Sequence, residues 1–157
     1  MSLIVDVSDD GLRSPLSRAR VKAIATVVLR AERVSNAFVS IALVSPRHIA
    51  RLNKQHLGHA GPTDVISFSL SSPNGTARRA VVGDIYIAPA VARANATRFG
   101  GRIREELARL VVHGTLHVLG YDHPVGADRT TSTMWKRQER LLASASVRRA
   151  AAGNRTR

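Results

Sequence analysis

The sequence predicts an α+β fold, α/β-like in the order of its elements, in which about five helices pack on a small mixed four-stranded sheet. Two observations lead to this prediction. The chain has 157 residues, of which 44% are hydrophobic, as expected for one globular domain with its own core. Short apolar and β-branched runs also alternate with longer stretches of helical periodicity. Because no internal repeat divides the chain, we predict that residues 1–147 form a single domain.

In the first half of the chain, two predicted strands are each followed by a predicted helix. Each helix is predicted to begin at the proline of a Ser-Pro pair, Ser14-Pro15 or Ser45-Pro46. Serine is a common N-cap, and proline is favoured at the first helical position. Gly58 can adopt the left-handed conformation that ends many helices. The predicted elements are strand 3–7, helix 15–34, strand 37–45 and helix 46–57.

The second half of the chain predicts a β-hairpin followed by three helices. The hairpin has a long polar connection, residues 71–79, which contains Asn-Gly. The last helix is predicted to start in the Asp128/Thr130 region, and the basic residues 148–157 are expected to form a disordered tail. The predicted elements are strand 65–70, strand 81–88, helix 89–99, helix 103–119 and helix 128–147.

Arginine gives the chain a strong positive charge. Lys and Arg number 24 against 11 Asp and Glu, which is a formal net charge of +13 at pH 7. A chain this basic attracts polyanions, and the guanidinium group suits bidentate contacts to phosphate. We therefore expect a nucleic acid as partner. The alternative is an arginine-rich surface that is only solvated.

Composition also limits the metal ligands and the location. Cysteine is absent, which excludes disulfides and thiolate ligands, so a transition metal must be bound by His, Asp or Glu. No apolar run reaches the length of a membrane span, and the N-terminal segment carries acidic residues where a secretory signal would be basic. We expect a soluble, cytoplasmic protein with no membrane partner.

Three of the six histidines lie in the stretch HGTLHVLGYDH, residues 113–123. His113 and His117 are four residues apart on a predicted helix, so both imidazoles project from one face. Gly120 can end this helix with a turn that returns His123 to the same ion. Three neutral imidazoles without a fourth protein ligand are typical of a catalytic zinc site, where metal-bound water takes the open position. The alternative is three unrelated histidines.

Gly114 restricts the reaction that such a site could perform. The spacing H-x-x-x-H-x-x-G-x-x-H is shared with the metzincin zinc proteases, which have a glutamate as general base directly after the first histidine. With Gly114 at that position, peptide hydrolysis by this route is disfavoured. Zinc can still act as a Lewis acid, so phosphodiester cleavage fits the site, with arginines to meet the phosphate charge. The glycine also leaves space beside the ion for a larger substrate group.

Three segments of the chain share motifs with a known family. They are HGTLHVLGYDH, RLNKQHLGHAGPTDVISFSL at 51–70 and GDIYIAP at 83–89. Met134 and Glu139 also fall where the last helix of that family commonly has Met and Glu. Together these segments resemble the YbeY family of bacterial rRNA maturation factors, which are metal-dependent endoribonucleases specific for single strands. The resemblance extends over roughly residues 40–142.

The resemblance implies a site, a substrate and partners. His113, His117 and His123 would bind one Zn²⁺ ion and act in catalysis through its bound water, and the P-T-D strand would line the cleft. The chain would be a hydrolase of single-stranded RNA that processes the 3′ end of 16S rRNA and acts in late ribosome maturation and quality control. The small ribosomal subunit or ribosomal proteins are the implied partners.

The chain departs from the family in the presumed RNA cleft. Many relatives have an arginine after the aromatic residue of the Leu-Asn segment, where this chain has Leu57 after His56. If that arginine holds a phosphate, either a neighbouring side chain takes over its role or the role is lost. The candidate RNA contacts are Arg51, Lys54, His59, Thr63 and Ser67.

Three aspartates and a tryptophan each have more than one possible role. Asp122 accepts a hydrogen bond from an imidazole, serves as a base beside His123, or caps the last helix. Asp64 either orients a ligand or caps a turn, and Asp84 either bonds to a histidine N–H or faces solvent. Trp135 either packs the last helix on the core or stacks on a base.

Two other functions fit the same residues. A hydrolase of another substrate, such as a peptide, would need a distant carboxylate in place of the missing glutamate. A ribosome-assembly factor would use zinc for structure, and its basic surface would bind rRNA without cutting it.

Overall fold

The computed structural model describes residues 2–71, 80–123, 130 and 132–152 of the chain. The elements of this part are β1 Leu3–Ser8, α1 Arg18–Ala31, β2 Ala37–Leu43, α2 Pro46–Leu57, β3 Val65–Ser69, β4 Val81–Ile87, α3 Pro89–Phe99, α4 Ile103–Val118, α5 Thr133–Ala143 and α6 Ala145–Ala152. The predicted order of elements is confirmed, except that the last predicted helix is two helices. The predictions for residues 72–79, 128 and 153–157 lie outside the described part. Among the described helices, none has the length and apolar character needed to span a membrane.

The predicted mixed four-stranded sheet is confirmed, with the strand order β1-β2-β4-β3. β1, β2 and β4 run parallel, and β3 pairs antiparallel with β4, as expected for a hairpin. Ile85 of β4 lies beside Ile41 of β2 on one side and Ser67 of β3 on the other. β4 is therefore an inner strand, and its side chains can contact groups from both neighbours.

Alternate residues of the strands belong to two different apolar layers. Ile41 and Ile85 are fully buried in the larger cluster, which also contains the buried residues of α1 and α4. Phe68 and Tyr86 pack in the smaller cluster, together with Ile49 of α2. Because successive side chains of a strand point to opposite faces, α1 and α4 cover one face of the sheet and α2 covers part of the other.

Two glycines allow α4 to pack directly on the sheet. A Cβ atom on Gly83 of β4 would overlap Val118 Cγ1, and one on Gly114 would lie 2.8 Å from Ile85 Cγ2. Both contacts are closer than real Cβ contacts, so larger residues do not fit without movement. The hydroxyl of Ser69 also donates a hydrogen bond to the carbonyl of Val118 at 3.1 Å. The second half of α4 is therefore held against β3 and β4.

The predicted bounds of α2 are confirmed. The helix begins at Pro46, and the side chain of Ser45 accepts a hydrogen bond from the His48 N–H. It ends before Gly58, which has a φ of 67° in the left-handed region. Both signals were local, so the sequence alone located the ends of this helix.

The predicted start of α1 is wrong, because the helix begins at Arg18 and not at residue 15. Its N-cap is Ser17, whose side chain accepts a hydrogen bond from a backbone N–H of the first turn. Leu16 precedes this cap and is completely buried in the core. The Ser14-Pro15 pair thus leads the chain into the core, and the capping role belongs to the next serine.

The predicted last helix is divided at Ser144 into α5 and α6. Ser144 is extended, with φ −67° and ψ 146°, and its hydroxyl donates to the carbonyl of Leu141 at 2.6 Å. α6 then continues to Ala152 and buries Val147 in the main core. The domain boundary predicted at Val147 therefore falls inside a helix, and residues 148–152 are helical, not disordered.

Candidate metal centre

α4 carries the first two histidines of the HGTLHVLGYDH stretch. Buried apolar residues recur along this helix at helical spacing and pack against the core. Glu105 and Glu106 lie in its first turn, where carboxylates interact favourably with the helix dipole. His113 and His117 remain partly exposed at the edge of the buried face. A rigid helix thus fixes two imidazoles one turn apart.

A turn after α4 returns the chain to the same side of the helix. Gly120 has a φ of 97°, a left-handed conformation that glycine adopts at little cost. The N–H of Tyr121 donates to the carbonyl of Leu116 at 3.0 Å, which closes the turn. The N–H of His123 donates to Asp122 Oδ1 at 3.0 Å. The turn predicted at Gly120 is therefore confirmed.

The three imidazoles converge in space. One ring nitrogen from each of His113, His117 and His123 lies within 4.8 Å of the other two. The ring centroids are 4.6 Å apart for His113 and His117, 5.4 Å for His113 and His123, and 5.0 Å for His117 and His123. This group could hold one metal ion, and among the described residues no carboxylate belongs to it.

Gln138 of α5 orients the first histidine, a contact that the sequence analysis missed. His113 Nδ1 lies 2.7 Å from Gln138 Oε1, and the Gln138 side chain is buried, with 2% exposure. Because an amide oxygen only accepts hydrogen bonds, His113 Nδ1–H is the donor. The lone pair of the neutral ring then lies on Nε2, where it is available to a metal. The donor set therefore fits a metal ion at this ring.

His123 has a polar atom whose partner is missing from the described residues. Its Nδ1 is buried and forms no hydrogen bond within that part of the chain. A buried polar atom without a partner costs free energy, so such an atom points to a group that completes the site. A metal ion shared with the other two imidazoles is a group of this kind.

Burial and the neighbouring imidazoles keep His117 neutral. Burial is the larger cause, and the charges of His113 and His123 add to it, so that the pKa of His117 falls to about 4. Only a neutral imidazole can donate a lone pair to a metal. At neutral pH the cluster therefore presents His117 in the form that binds metal.

Gly114 points at the sheet and not at open space beside the histidines. A Cβ atom on Gly114 would meet Ile85 Cγ2 at 2.8 Å and Ser67 Oγ at 3.1 Å. The suggestion that this glycine makes room for substrate is therefore wrong, because the space belongs to the helix–sheet contact. For the same reason a glutamate does not fit here without moving α4 from the sheet, which agrees with the prediction that peptide hydrolysis by the metzincin route is disfavoured.

A small cavity lies next to the histidines. It has a volume of about 50 Å³ and is lined by His113, His123, Ser132, Met134, Trp135 and Gln138. Trp135 is half-buried, and the guanidinium carbon of Arg109 lies 5.9 Å from the centre of its ring. Trp135 thus both packs α5 against α4 and presents part of its ring near the metal centre.

Glu32 at the end of α1 connects the two segments that position the site. Its carboxylate accepts a hydrogen bond from the Tyr121 hydroxyl at 2.8 Å and pairs with Arg137 of α5. The hydrogen bond to Glu32 raises the pKa of Tyr121. Tyr121 lies two residues before His123, and Arg137 is adjacent to Gln138. Glu32 therefore ties the loop and the helix together.

The five predicted RNA contacts are not all near the histidines. Ser67 lies on the α4 side of β3, close to Gly114. Thr63 is half-buried in the loop before β3. The remaining three are exposed on α2 or just after it, on the side of the sheet opposite α4, and the described contacts do not join them to the histidines. These three are Arg51, Lys54 and His59.

One of the predicted aspartate roles can be decided. Asp84 points away from α4, because its neighbours Gly83 and Ile85 contact that helix, so it does not bond to a histidine of the cluster on α4. Asp64 accepts a hydrogen bond from the Asn95 side chain of α3 at 3.4 Å, a contact between two elements that matches neither of its two predicted roles. Asp122 is exposed, and its Oδ1 accepts the backbone N–H of the next residue.

The fold and the site define a small α+β protein in which three clustered histidines could hold a metal ion, as in metal-dependent hydrolases. The family profile described as Endoribonuclease YbeY matches residues 8–146. The chain therefore belongs to the Endoribonuclease YbeY family, and the resemblance noted in the sequence is confirmed.

Individual relatives agree with this assignment. The chain is 36% identical over 151 residues to the endoribonuclease YbeY of Bacillus licheniformis, which covers 90% of this chain and 94% of that protein. It is also 36% identical to the endoribonuclease YbeY of Frankia casuarinae, over 90% of this chain and 74% of that protein. The solution structure of TM1509 from Thermotoga maritima has the same fold, with a TM-score of 0.60, 24% identity and 98% coverage of both chains.

Proposed function

We propose that the chain is a zinc-dependent endoribonuclease that cuts single-stranded RNA. The observation that carries the proposal is the convergence of three imidazole nitrogens within 4.8 Å, at a site without a fourth ligand among the described residues. Family membership supports ribonucleolytic activity, and the net charge of +13 supports a polyanionic substrate. Zinc is favoured because three neutral imidazoles and the absence of cysteine suit an open catalytic zinc site.

A different feature of the structure prepares each of the three histidines to bind a metal ion. Gln138 holds His113 with its proton on Nδ1, and burial keeps His117 neutral. His123 is brought in by the turn at Gly120. A bound zinc ion supplies Lewis acidity, which polarises phosphate oxygens and lowers the pKa of water.

Proton transfer and phosphate binding are assigned to residues around the cluster. We assign the exposed Asp122 as the base that accepts a proton at its carboxylate, because the backbone N–H of His123 donates a hydrogen bond that orients this carboxylate. Ser67 and Thr63 are assigned to the phosphates nearest the histidines. The exposed polar side chains of α2 and its following loop are assigned to more distant phosphates of the strand. These side chains are Arg51, Lys54 and His59.

The biological role that we propose is the maturation of ribosomal RNA in the cytoplasm, with cleavage near the 3′ end of 16S rRNA. The family name supports action on RNA. The positive charge supports binding to the small ribosomal subunit, whose surface is rich in phosphate.

Cleavage of a single-stranded RNA tests the proposed activity. Zinc-loaded protein should cut the strand, a chelator should stop the reaction, and added zinc should restore it. The His117→Ala variant should be inactive, whereas the His48→Ala variant should keep full activity, since His48 lies on α2 outside the cluster.

Two outcomes of this experiment contradict the proposal. RNA binding without any cleavage would favour an assembly factor with a structural zinc. Cleavage of casein alone would favour a peptidase, which the packing of Gly114 against Ile85 makes difficult to build.

A further inference from the structure

A second, larger cavity lies at the other end of α4, where the first turns of that helix meet α6. Its volume is about 750 Å³, which is within the usual range for ligand sites. Four arginines line it: Arg102, Arg104, Arg109 and Arg148. Glu105 is the one acidic residue among the described lining residues. The cavity is therefore positively charged.

The four arginines differ in how far the protein already satisfies them. Arg109 pairs with Glu106 and Glu139, so its charge is largely balanced. Arg104 donates a hydrogen bond to the carbonyl of Ala151 at 3.1 Å, a neutral acceptor. Arg102 and Arg148 are exposed and form no ion pair with a carboxylate of the described residues. Their guanidinium groups can bind phosphate without breaking an existing ion pair.

The floor of the cavity is apolar. Ile103, Ala108, Leu142 and Val147 contribute to its lining. An apolar floor with a cationic rim suits a nucleotide, whose base and ribose pack on carbon while its phosphate meets the guanidinium groups. A simple inorganic anion would use the rim alone and leave most of this volume unfilled.

Arg109, which lines this cavity, and Trp135 lie between the cavity and the histidines. Arg109 and His113 are one turn apart on α4, about 6 Å along the axis, and Arg102 is about 16 Å from His113. Trp135 lies beside Arg109 and also lines the small cavity at His113 and His123. A strand with its cleaved bond at the histidines can therefore pass Trp135 and reach the arginines.

We propose that the arginine cavity binds nucleotides of the single-stranded RNA substrate that lie outside the cleavage site. This inference rests on the proposed function, because it takes RNA to be the substrate. The cavity adds affinity and takes no part in bond cleavage. Long strands that span the histidines and the cavity are bound better than short strands that reach only the histidines.

Arg148 and Arg149 provide a matched pair of variants for the test. Both are exposed and both lie on α6, but Arg148 lines the cavity and Arg149 does not. Affinity is measured by fluorescence anisotropy with metal-free protein, so that no RNA is cut. The probes are single strands of about 20 and about two nucleotides. Thermal unfolding of each variant confirms that it is folded.

The expected result depends on both the residue and the length of the strand. Arg148→Ala should weaken binding of the long strand about fivefold and reduce the slope of log K against log salt by about 0.7. It should leave the short strand unchanged. Arg149→Ala should affect both strands equally and weakly. With zinc present, Arg148→Ala should raise KM for the long strand and leave kcat unchanged.

Equal effects of Arg148→Ala and Arg149→Ala, or equal effects on the long and short strands, would overturn the inference. A mononucleotide whose binding depends on Arg148 as strongly as that of the long strand would also overturn it, in favour of a free nucleotide. Failure of the zinc-loaded wild type to cut RNA would refute the proposed activity alone. The binding measurements need no cleavage and would still decide the role of the cavity.

Discussion

At the scale of single residues, the metal site depends on the side chains that orient the histidines as well as on the histidines themselves. The spacing of His113, His117 and His123 was sufficient to predict that they meet, because helix geometry and one glycine turn determine it. Gln138 could not be predicted, since a buried amide on a later helix follows no local pattern. Its contact depends on how α5 packs against α4, which is tertiary structure.

Replacing Gln138 with leucine should weaken zinc binding about 10- to 100-fold, because His113 loses the acceptor that fixes its tautomer and ring orientation. Competition with a chromogenic chelator measures the affinity. Gln55→Leu, an exposed position on α2, is the control and should bind zinc normally. Unchanged affinity in a folded Gln138→Leu variant would show that the hydrogen bond has no role in the metal site.

The pKa of His117 predicts how metal-free protein responds to acid. Folding lowers this pKa from its ordinary value of 6.5 to about 4, so between these values the unfolded chain binds the extra proton. The free energy of unfolding should therefore fall as pH decreases from 6.5 to 4. Urea denaturation at several pH values measures this slope. A His117→Leu variant should lose part of it, and an identical slope in that variant would contradict the assignment.

At the scale of elements, local signals located some boundaries and misplaced others. The predicted bounds of α2 were correct because Ser45, Pro46 and Gly58 act within one turn of the helix ends. The start of α1 was predicted too early because two nearby serines offer the same capping signal, and only the burial of Leu16 decides between them. The break at Ser144 was missed, since nothing in its local sequence distinguishes it from an ordinary helical serine.

Gly114 gives the clearest prediction at this scale. Gly114→Ala should destabilise the protein, because overpacking against Ile85 costs about 1–3 kcal/mol and outweighs the gain of about 1 kcal/mol in helix propensity. Gly101→Ala is the matched control, since a Cβ there meets no atom within 4 Å. Urea denaturation compares the two variants. A Gly114→Ala protein as stable as the wild type would mean that α4 does not pack as closely as described.

At the scale of the whole molecule, the fold brings together features that are distant in the sequence. Glu32, directly after α1, contacts both the loop that carries His123 and the helix that carries Gln138. These contacts join residues too far apart in the sequence to form a motif. The fold class, the mixed sheet and the histidine cluster were predictable because they depend on periodicity and short spacing. The supporting network and the arginine cavity were not, because they arise only when α1, α4, α5 and α6 pack together.

The central claim is that three histidines from one helix and its following turn hold a single divalent ion. Elemental analysis of the purified, zinc-reconstituted protein tests it most directly. We predict one zinc ion per chain in the wild type and in the His48→Ala variant, and a large loss in His113→Ala, His117→Ala and His123→Ala. Full zinc content in any of these three variants, while they remain folded, would contradict the account.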